Sequence, residues 1–387
     1  MDRLPGRPAG ATSGALRKAG DDVNLVRSAP GRPALIALAV LLVGWSLPFW
    51  LIQTQFILVV AISAVVWAIA AQGWNIAGGY GGLLSFGHSV YFGIGAYTTA
   101  LLTIHFGLTP WVGMLVGALA AALAGAITTF PALRLKGTYF TLATFVLTLL
   151  FADFATHFRD FTGGDVGLSI PFLRDAPEMF QFDSALTLYY VVVAILAVVT
   201  LIVGLLAASR LGLFLRASRD DPDAARAAGV DVTRVRLVGL SLSAAVTGVG
   251  GGVMLQSLRA IDPVTGFGAN TAFVIALVAL TGGRGTVVGP IVGAAVLIPV
   301  QQILSAQLSS APPGLSGMAY AVVVAAVMLV ERRGLVFLIA RLARAVTAAV
   351  RARRPHRLGG SPASGGEAAQ AATVPAQEIP EQPRSGS

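Results

Sequence analysis

The sequence predicts an all-α polytopic membrane protein with about ten transmembrane helices and both termini in the cytoplasm. Hydrophobic residues make up 55% of the 387 residues, and charged residues make up only 12%. The mean hydropathy is +0.77, which is far too apolar for a soluble protein of this length. Most of the 27 basic residues, which give a net charge of +9, are gathered between apolar stretches in the segments 3–32, 134–136, 210–236 and 332–357.

This arrangement of charge fixes the predicted orientation, because basic residues concentrate in cytoplasmic segments. The predicted spans are about 34–52, 56–77, 88–104, 110–130, 138–157, 187–208, 237–258, 264–281, 286–305 and 315–331, each long enough or nearly so to cross a bilayer. A chain that starts inside then places its basic blocks inside as well. The charge therefore indicates membrane topology and contact with anionic lipid rather than binding of nucleic acid.

The sequence outside these spans divides into three predicted segments. Residues 1–33, rich in basic residues, Pro, Gly and Ser, are predicted to form a disordered cytoplasmic arm. Apolar and basic residues alternate at helical spacing over 332–357, which predicts a basic amphipathic helix at the inner membrane surface. The Gly-, Ser-, Pro- and Ala-rich residues 358–387 are predicted to be a disordered tail.

The longest polar interruption, residues 210–236, contains six arginines and four aspartates. Within it, Asp220-Asp221-Pro222-Asp223 is a helix-start pattern, with acidic capping residues and proline at the first helical position. Gly229 supplies a stop. A helix of about two turns is too short to persist alone, so we expect it to pack on a partner. The alternative is a solvated loop with one incidental turn.

Residues 78–88, GGYGGLLSFGH, interrupt the apolar sequence without any charge in the segment. Four glycines in five residues disfavour a stable helix. Irregular backbone at membrane depth persists when it is buried in protein or lines a wet cavity, which predicts a broken or re-entrant element near a translocation path. The alternative is close glycine packing, with His88 simply hydrogen-bonded.

Further glycines recur four residues apart, at 113/117, 248/252 and 285/289/293. Small residues at this spacing let helices approach closely in lipid. We interpret these as packing signals rather than as binding sites.

The predicted outer loop, from Arg159 to Ser184, carries five acidic residues: Asp160, Asp165, Asp175, Glu178 and Asp183. Its acidic surface could receive a soluble partner. An acidic outer loop is also common without one, so both interpretations stay open at this point.

The missing motifs restrict the function. The chain has no P-loop, since Gly282-Gly283-Arg284-Gly285-Thr286 lacks the lysine and the spacing. No predicted span carries an acidic residue near its middle, as coupled carriers usually do. With no cysteine and four scattered histidines, the sequence predicts neither a metal site nor catalytic residues. The prediction is a passive membrane subunit, either a channel or a permease driven by a partner, and the short helix favours the second.

The segment GYGGLLSFGHSVYFGIGAY (79–97) resembles the signature of branched-chain amino acid ABC transporter permeases of the LivM type. Four further blocks resemble that family in the same order. They are RLKGTYFTLAT (134–144), TGGDVGLSIP (162–171), RASRDDPDAARAAGVDVTRVRLVGLSLSAAVTGVGGG (216–252) and TGGRGTVVGPIVGAA (281–295). The resemblance covers roughly residues 34–331, the expected transmembrane permease domain.

The resemblance implies an importer complex in the cell (inner) membrane. A second homologous permease subunit would pair with this chain as a heterodimer. Two ATP-binding subunits would bind ATP, so that no cofactor binds to this chain itself. An extracytoplasmic substrate-binding protein would deliver substrate. Coupling to the ATPase would involve Arg219, Asp220, Asp221, Pro222, Asp223, Ala224, Ala225, Arg226 and Gly229. The translocation path would involve Asn75, Gly79, Tyr80, Gly82, Ser85, Gly87 and His88. The binding protein would contact Thr162, Gly163, Gly164, Asp165 and Gly167.

Two positions depart from the family pattern. Leu83 stands where members of the family often have glutamine, and Leu149 stands where glutamate or glutamine is common. Both changes remove polarity near the implied path. Branched-chain amino acids are the expected substrates, with urea, short amides or another small carboxylate as alternatives, and a stand-alone channel as the alternative of a different class.

Overall fold

The computed structural model describes residues 55–339 and 341, apart from residues 136, 174, 311, 313 and 331–333. The predicted arm (1–33), first span (34–52) and tail (358–387) lie outside the described residues, as does most of the predicted helix 332–357. Within that last segment, residues 335–339 are helical. The described residues belong to one compact unit.

Helices make up almost all of the described regular structure. They are α1 (Gln55–Trp74), α2 (His88–Phe106), α3 (Pro110–Ala132), α4 (Thr138–His157), α5 (Arg159–Thr162), α6 (Ala185–Ala208), α7 (Arg210–Asp220), α8 (Pro222–Ala227), α9 (Val232–Leu258), α10 (Pro263–Phe267), α11 (Ala269–Gly283), α12 (Gly289–Gln307) and α13 (Leu315–Val330). A π-helical turn, Asn75–Tyr80, continues α1, and two 3-10 turns cover Gly164–Val166 and Pro177–Met179. The strands β1 (Leu168–Ser169) and β2 (Ala260–Ile261) pair antiparallel, with Leu168 opposite Ile261.

Seven helical stretches among the described residues are long and apolar enough to cross a membrane. They are Gln55–Tyr80, Pro110–Ala132, Thr138–His157, Ala185–Ala208, Val232–Leu258, Pro263–Gly283 and Gly289–Gln307. The 19-residue helix α2 and the shorter apolar stretch Leu315–Leu329 stand where two more spans were predicted. An all-α polytopic architecture is therefore confirmed, whereas the count of ten spans stays a prediction.

The polar segment 210–236 is more helical than the single short helix that the sequence predicts. Ser209 caps α7, its Oγ accepting a hydrogen bond from the Gly212 amide at 3.4 Å. Leu215 is buried against the bundle, which gives this charged helix an apolar anchor. α9 also begins at Val232, where Asp231 caps it by accepting from the Arg234 amide at 3.0 Å. Side-chain caps and one buried leucine thus extend helix into a stretch that is polar overall.

The loops gather at two opposite ends of the helix bundle. At the arginine-rich end, the π-turn Asn75–Tyr80 meets α7 and the turn 284–288, as the bond from Arg219 to the Gly79 carbonyl shows. At the acidic end, the loop 158–184 meets β2 and the start of α3, where Trp111 Nε1 donates to the Pro177 carbonyl at 3.1 Å. Among the described residues, the segments 210–236 and 284–288, which are predicted to be cytoplasmic, therefore lie at one end, and the loop 158–184, which is predicted to be external, lies at the other.

The centre of the bundle is α9, which packs most extensively on α3, α2 and α1. Glycines bring these helices into backbone contact: a Cβ added to Gly95 would collide with the backbone of Gly248. A Cβ on Gly248 would lie 2.7 Å from the Ala121 side chain. This confirms the predicted packing role of the 113/117 and 248/252 glycines. Gly285 differs from its series, because it lies in a turn with φ +74° beside Gly79.

We expect Gly248→Leu to destabilise the bundle by about 1–3 kcal/mol, because the added side chain overpacks a contact between α9, α2 and α3. The control is Gly317→Leu, since Gly317 has open space where a Cβ would be added. Thermal unfolding of the detergent-solubilised chain measures the difference. Equal unfolding temperatures for the two variants would contradict the glycine-packed centre.

Candidate functional site

α8 is built by its capping residues. The Asp221 carboxylate oxygen Oδ1 accepts hydrogen bonds from the amides of Asp223 and Ala224, each at 2.9 Å. Pro222 occupies the first turn, where its missing N–H costs nothing. Gly229, with φ +84°, ends the segment in the left-handed region. The predicted helix start and stop are both present.

One side of α8 faces the chain and the other is open. Ala225 is buried with 6% of its surface exposed, whereas Ala224, Ala227 and Ala228 are exposed. Asp223 and Arg226 form an ion pair on the exposed side. Of the predicted coupling residues, Ala225 therefore anchors α8 to its own chain, and the others except the partly buried Pro222 lie at the surface.

Three arginines hold α7, which precedes α8, against the bundle. Arg236 of α9 donates from Nη2 to the Ser218 carbonyl at 2.7 Å. The Arg216 guanidinium lies 6.0 Å from the centre of the Tyr80 ring and donates to the Ala207 carbonyl at 2.9 Å. Arg219 donates from Nη1 to the Gly79 carbonyl at 2.9 Å. The end of α7 thereby contacts the π-turn of α1 directly.

Asn75 joins this π-turn to the turn between α11 and α12. Its Oδ1 accepts from the Gly285 amide at 2.7 Å, and its Nδ2 donates to the Thr286 carbonyl at 2.8 Å. One turn earlier, Gln72 donates to the Val287 carbonyl at 2.7 Å. Asn75 is fully buried, so its amide replaces water for two backbone groups that would otherwise be unsatisfied. A side chain thus clamps two glycine-rich segments that are 210 residues apart.

After the π-turn, residues 81–87 are not helical, and threonines of α4 satisfy their backbone. Thr141 donates to the Leu84 carbonyl at 2.9 Å, and Thr148 donates to the Phe86 carbonyl at 2.8 Å. The hydroxyl of Thr144 accepts from the Phe86 amide at 3.2 Å. These threonines, spaced three and four apart, occupy one face of α4. They supply the partners that irregular backbone needs at membrane depth.

Three further polar groups in and beside this segment, on Trp74, Gly87 and His88, are also paired within the chain. Trp74 Nε1 donates to the Ser85 carbonyl at 2.7 Å, and the Gly87 amide donates to Ser85 Oγ at 3.2 Å. The His88 ring nitrogen Nε2 lies 2.8 Å from Ser243 Oγ, which donates to the Gly73 carbonyl at 2.6 Å. Both interpretations of the Gly-rich segment therefore hold structurally: the helix is interrupted, and His88 is hydrogen-bonded inside the protein.

Most of the residues predicted for a translocation path are buried within this chain. Asn75 and His88 are fully buried, and Tyr80 and Ser85 are each 1% exposed. Gly79 and Gly87 are buried too, whereas Gly82 is exposed. Of the two residues that depart from the family pattern, Leu83 lies within the interrupted segment and packs with Phe140 and Leu240. Leu149 lies on α4, the helix that carries the threonines, and is 48% exposed.

Next to the interrupted segment, a cavity of about 270 Å³ lies between the end of α3 and the start of α4. Its walls are Tyr91, Thr128, Thr129, Pro131, Ala132, Leu135, Ala143, Thr144 and Leu147. Thr144, which accepts from the Phe86 amide, contributes to both the cavity wall and the interrupted segment.

At the acidic end, glycines shape the segment predicted to contact a binding protein. Gly163, Gly164 and Gly167 all have positive φ angles, and a Cβ on Gly167 would collide with the Ile261 carbonyl. Thr162 Oγ1 donates to the Phe158 carbonyl at 2.8 Å. Asp165 is exposed, as are the other four acidic side chains of this loop: Asp160, Asp175, Glu178 and Asp183. Among the described residues, no group of three or more His, Asp or Glu residues could hold a metal ion.

Several residues that organise the site escaped the sequence analysis. Gln72, Thr141, Thr144 and Thr148 contact the interrupted segment or its neighbours, but each is an ordinary polar residue in an apolar helix. The three- and four-residue spacing of the threonines was a usable signal, since it places them on one helix face. The pairing of Asn75 with Gly285 and Thr286 has no comparable local signal.

Comparison with known proteins agrees with this architecture. Residues 56–330 match the profile of the family described as the permease component of branched-chain amino acid transport systems. No solved structure matches the chain.

Individual relatives are membrane permeases. The chain is 30% identical to the high-affinity branched-chain amino acid transport system permease protein LivM of Escherichia coli over 292 residues, 70% of this chain and 68% of the relative. It is 26% identical to the probable branched-chain amino acid transport permease protein LivH of Methanocaldococcus jannaschii over 59% of this chain and 73% of the relative. It is 29% identical to the fructose import permease protein FrcC of Rhizobium meliloti over 50% of this chain and 56% of the relative. This chain is thus a member of the family of branched-chain amino acid transport system permease components.

Proposed function

We propose that this permease subunit, a multi-pass protein of the cell (inner) membrane, imports branched-chain amino acids and is driven by separate ATP-binding subunits. The match of residues 56–330 to the permease family carries the proposal. The relatives named for branched-chain amino acid transport favour that substrate class, and the fructose import permease is a more partial match. The chain takes a structural role in transport, and ATP binds to the partner subunits.

In this proposal, the arginine-rich end faces the cytoplasm and α8 is the docking helix for an ATP-binding subunit. The excess of arginine at this end favours that orientation. The exposed alanines of α8 leave room for a partner surface to approach, while Ala225 fixes the helix to the bundle. Because one side of this short helix is buried against its own chain and the other side is open, we favour docking over an incidental turn in a solvated loop.

The acidic end then faces outwards and receives the substrate-binding protein. The loop 158–184 is held against β2 and α3 by the strand pair and by the bond from Trp111, which gives a fixed acidic surface. A second, homologous permease chain completes the membrane part of the complex as a heterodimer. The path for the substrate runs between the two chains, beside Gly82 and the exposed face of α4, and the buried residues Asn75 and His88 support its wall.

A transport assay in vesicles tests the function. The complete complex, with the second permease chain, the ATP-binding subunits and the binding protein, should accumulate labelled leucine only when ATP is present. Fructose and urea serve as competing solutes and should not reduce leucine uptake. Vesicles that contain this chain alone should show no leucine flux. ATP-independent flux through the chain alone would instead support a channel, and competition by fructose or urea would change the substrate class.

We expect Ala224→Trp to prevent docking of the ATP-binding subunit and to abolish uptake, because the indole would occupy the exposed face of α8. The control is Ala306→Trp, which places the same side chain on an exposed alanine at the acidic end of α12. Co-purification of the ATP-binding subunits and stimulation of their ATPase activity measure the effect. If Ala224→Trp docks as well as the control, α8 is not the docking helix.

A further inference from the structure

The end of α7 carries an arginine that contacts both glycine-rich turns of the arginine-rich end. Arg219 donates from Nη1 to the carbonyl of Gly79 in the π-turn of α1, at 2.9 Å. The same Nη1 atom would lie 3.3 Å from a Cβ added to Gly285, in the turn between α11 and α12. Asn75 already binds Gly285 to the π-turn. The Arg219 guanidinium therefore lies where α7, the end of α1 and the turn between α11 and α12 meet.

The hydrocarbon part of the Arg219 side chain is also packed against its own chain, at Gly82. Gly82 has a φ of +69°, and a Cβ there would collide with Arg219 Cγ. Gly82 thus leaves the space through which the side chain reaches the Gly79 carbonyl. The Arg219 side chain is 36% exposed, so most of it is enclosed by its own chain.

On its other side, Arg219 is paired with the last residue of α7. Its Nε and Nη2 atoms each lie 2.9 Å from Asp220 Oδ1, and Asp220 immediately precedes Asp221, the residue that caps α8. The planar guanidinium, with several donors in a fixed arrangement, therefore links the C-terminal residue of α7, next to the α8 cap, to the interrupted helix. A displacement of α8 would pull on the Gly79 carbonyl through side-chain hydrogen bonds and not only through the backbone.

We propose that Arg219 is a positioning residue that transmits the displacement of α8 to the interrupted end of α1, and thereby couples ATP hydrolysis to opening of the path. The inference rests on the proposed function and extends it, because docking at α8 and transmission through Arg219 are separable. The segment 81–87 is a suitable receiver of this movement, since threonine side chains of α4, and not a helical hydrogen-bond pattern, hold its backbone.

The test uses the complete transporter in vesicles. With Arg219→Ala, the amount of leucine taken up per ATP hydrolysed should fall roughly tenfold or more, the loss expected for one charge-assisted hydrogen bond. Arg219→Lys keeps a donor but not the planar arrangement, so it should recover part of the uptake. A change in the ratio of uptake to hydrolysis is the readout that a purely structural role would not produce.

A second pair of variants moves Arg219 without removing its charge. Gly82→Ala should displace the arginine side chain and give the same uncoupled behaviour. Gly107→Ala is the matched control, because Gly107 has a similar φ of +61° but open space around it. Both alanines adopt a left-handed φ, and only the first meets Arg219.

The outcomes distinguish a failure of transmission through Arg219 from a failure of the proposed transport function. Uptake and hydrolysis that fall together in Arg219→Ala, or that both stay at wild-type levels, would overturn transmission through Arg219. Equal uptake in Gly82→Ala and Gly107→Ala would overturn it too, even if Arg219→Ala failed to fold. By contrast, a wild-type complex without ATP-dependent leucine uptake would refute the proposed function itself.

Discussion

A helix that is interrupted at membrane depth must find hydrogen-bond partners inside the protein, and this requirement organises the arginine-rich end of the bundle. The backbone of α1 leaves the α-helical pattern at Asn75 and stays irregular up to Gly87. Each unsatisfied buried group would cost about 1–3 kcal/mol, so several such groups would equal much of the stability of a domain. Threonines of α4, Trp74 and Arg219 provide the partners instead.

Because these partners come from different helices, the interrupted end of α1 also connects those helices to one another. Asn75 binds the turn that links α11 to α12, Arg219 reaches in from α7, and the threonine face of α4 covers the other side. Glycine-mediated contact holds α9 rigidly beside α1, α2 and α3. In the proposed mechanism, this element, which is held by side-chain hydrogen bonds beside the glycine-packed centre, receives the movement of α8.

The features that were predicted from the sequence were those with a local cause. The cap at Asp221, the stop at Gly229 and the apolar spans follow from residues within a few positions of each other. The Gly-rich interruption was predicted for the same reason, because glycines cannot sustain a helix there. The partners of that interruption could not be predicted, since Asn75 and Gly285 are 210 positions apart and Thr141 is 57 from Leu84. The burial of Ala225, rather than of another alanine of α8, likewise depends on tertiary packing, and helical spacing alone does not decide it.

The central claim is that side chains from other helices satisfy the turns around the interrupted helix. Amide hydrogen exchange of the chain in lipid nanodiscs tests it most directly, at Gly285, whose N–H donates to Asn75 Oδ1 at 2.7 Å. We predict slow exchange of this amide in the wild type and exchange roughly ten- to a hundredfold faster in Asn75→Leu, which removes the acceptor but keeps the branched shape of the side chain. Equal exchange at Gly285 in the two proteins would contradict the account.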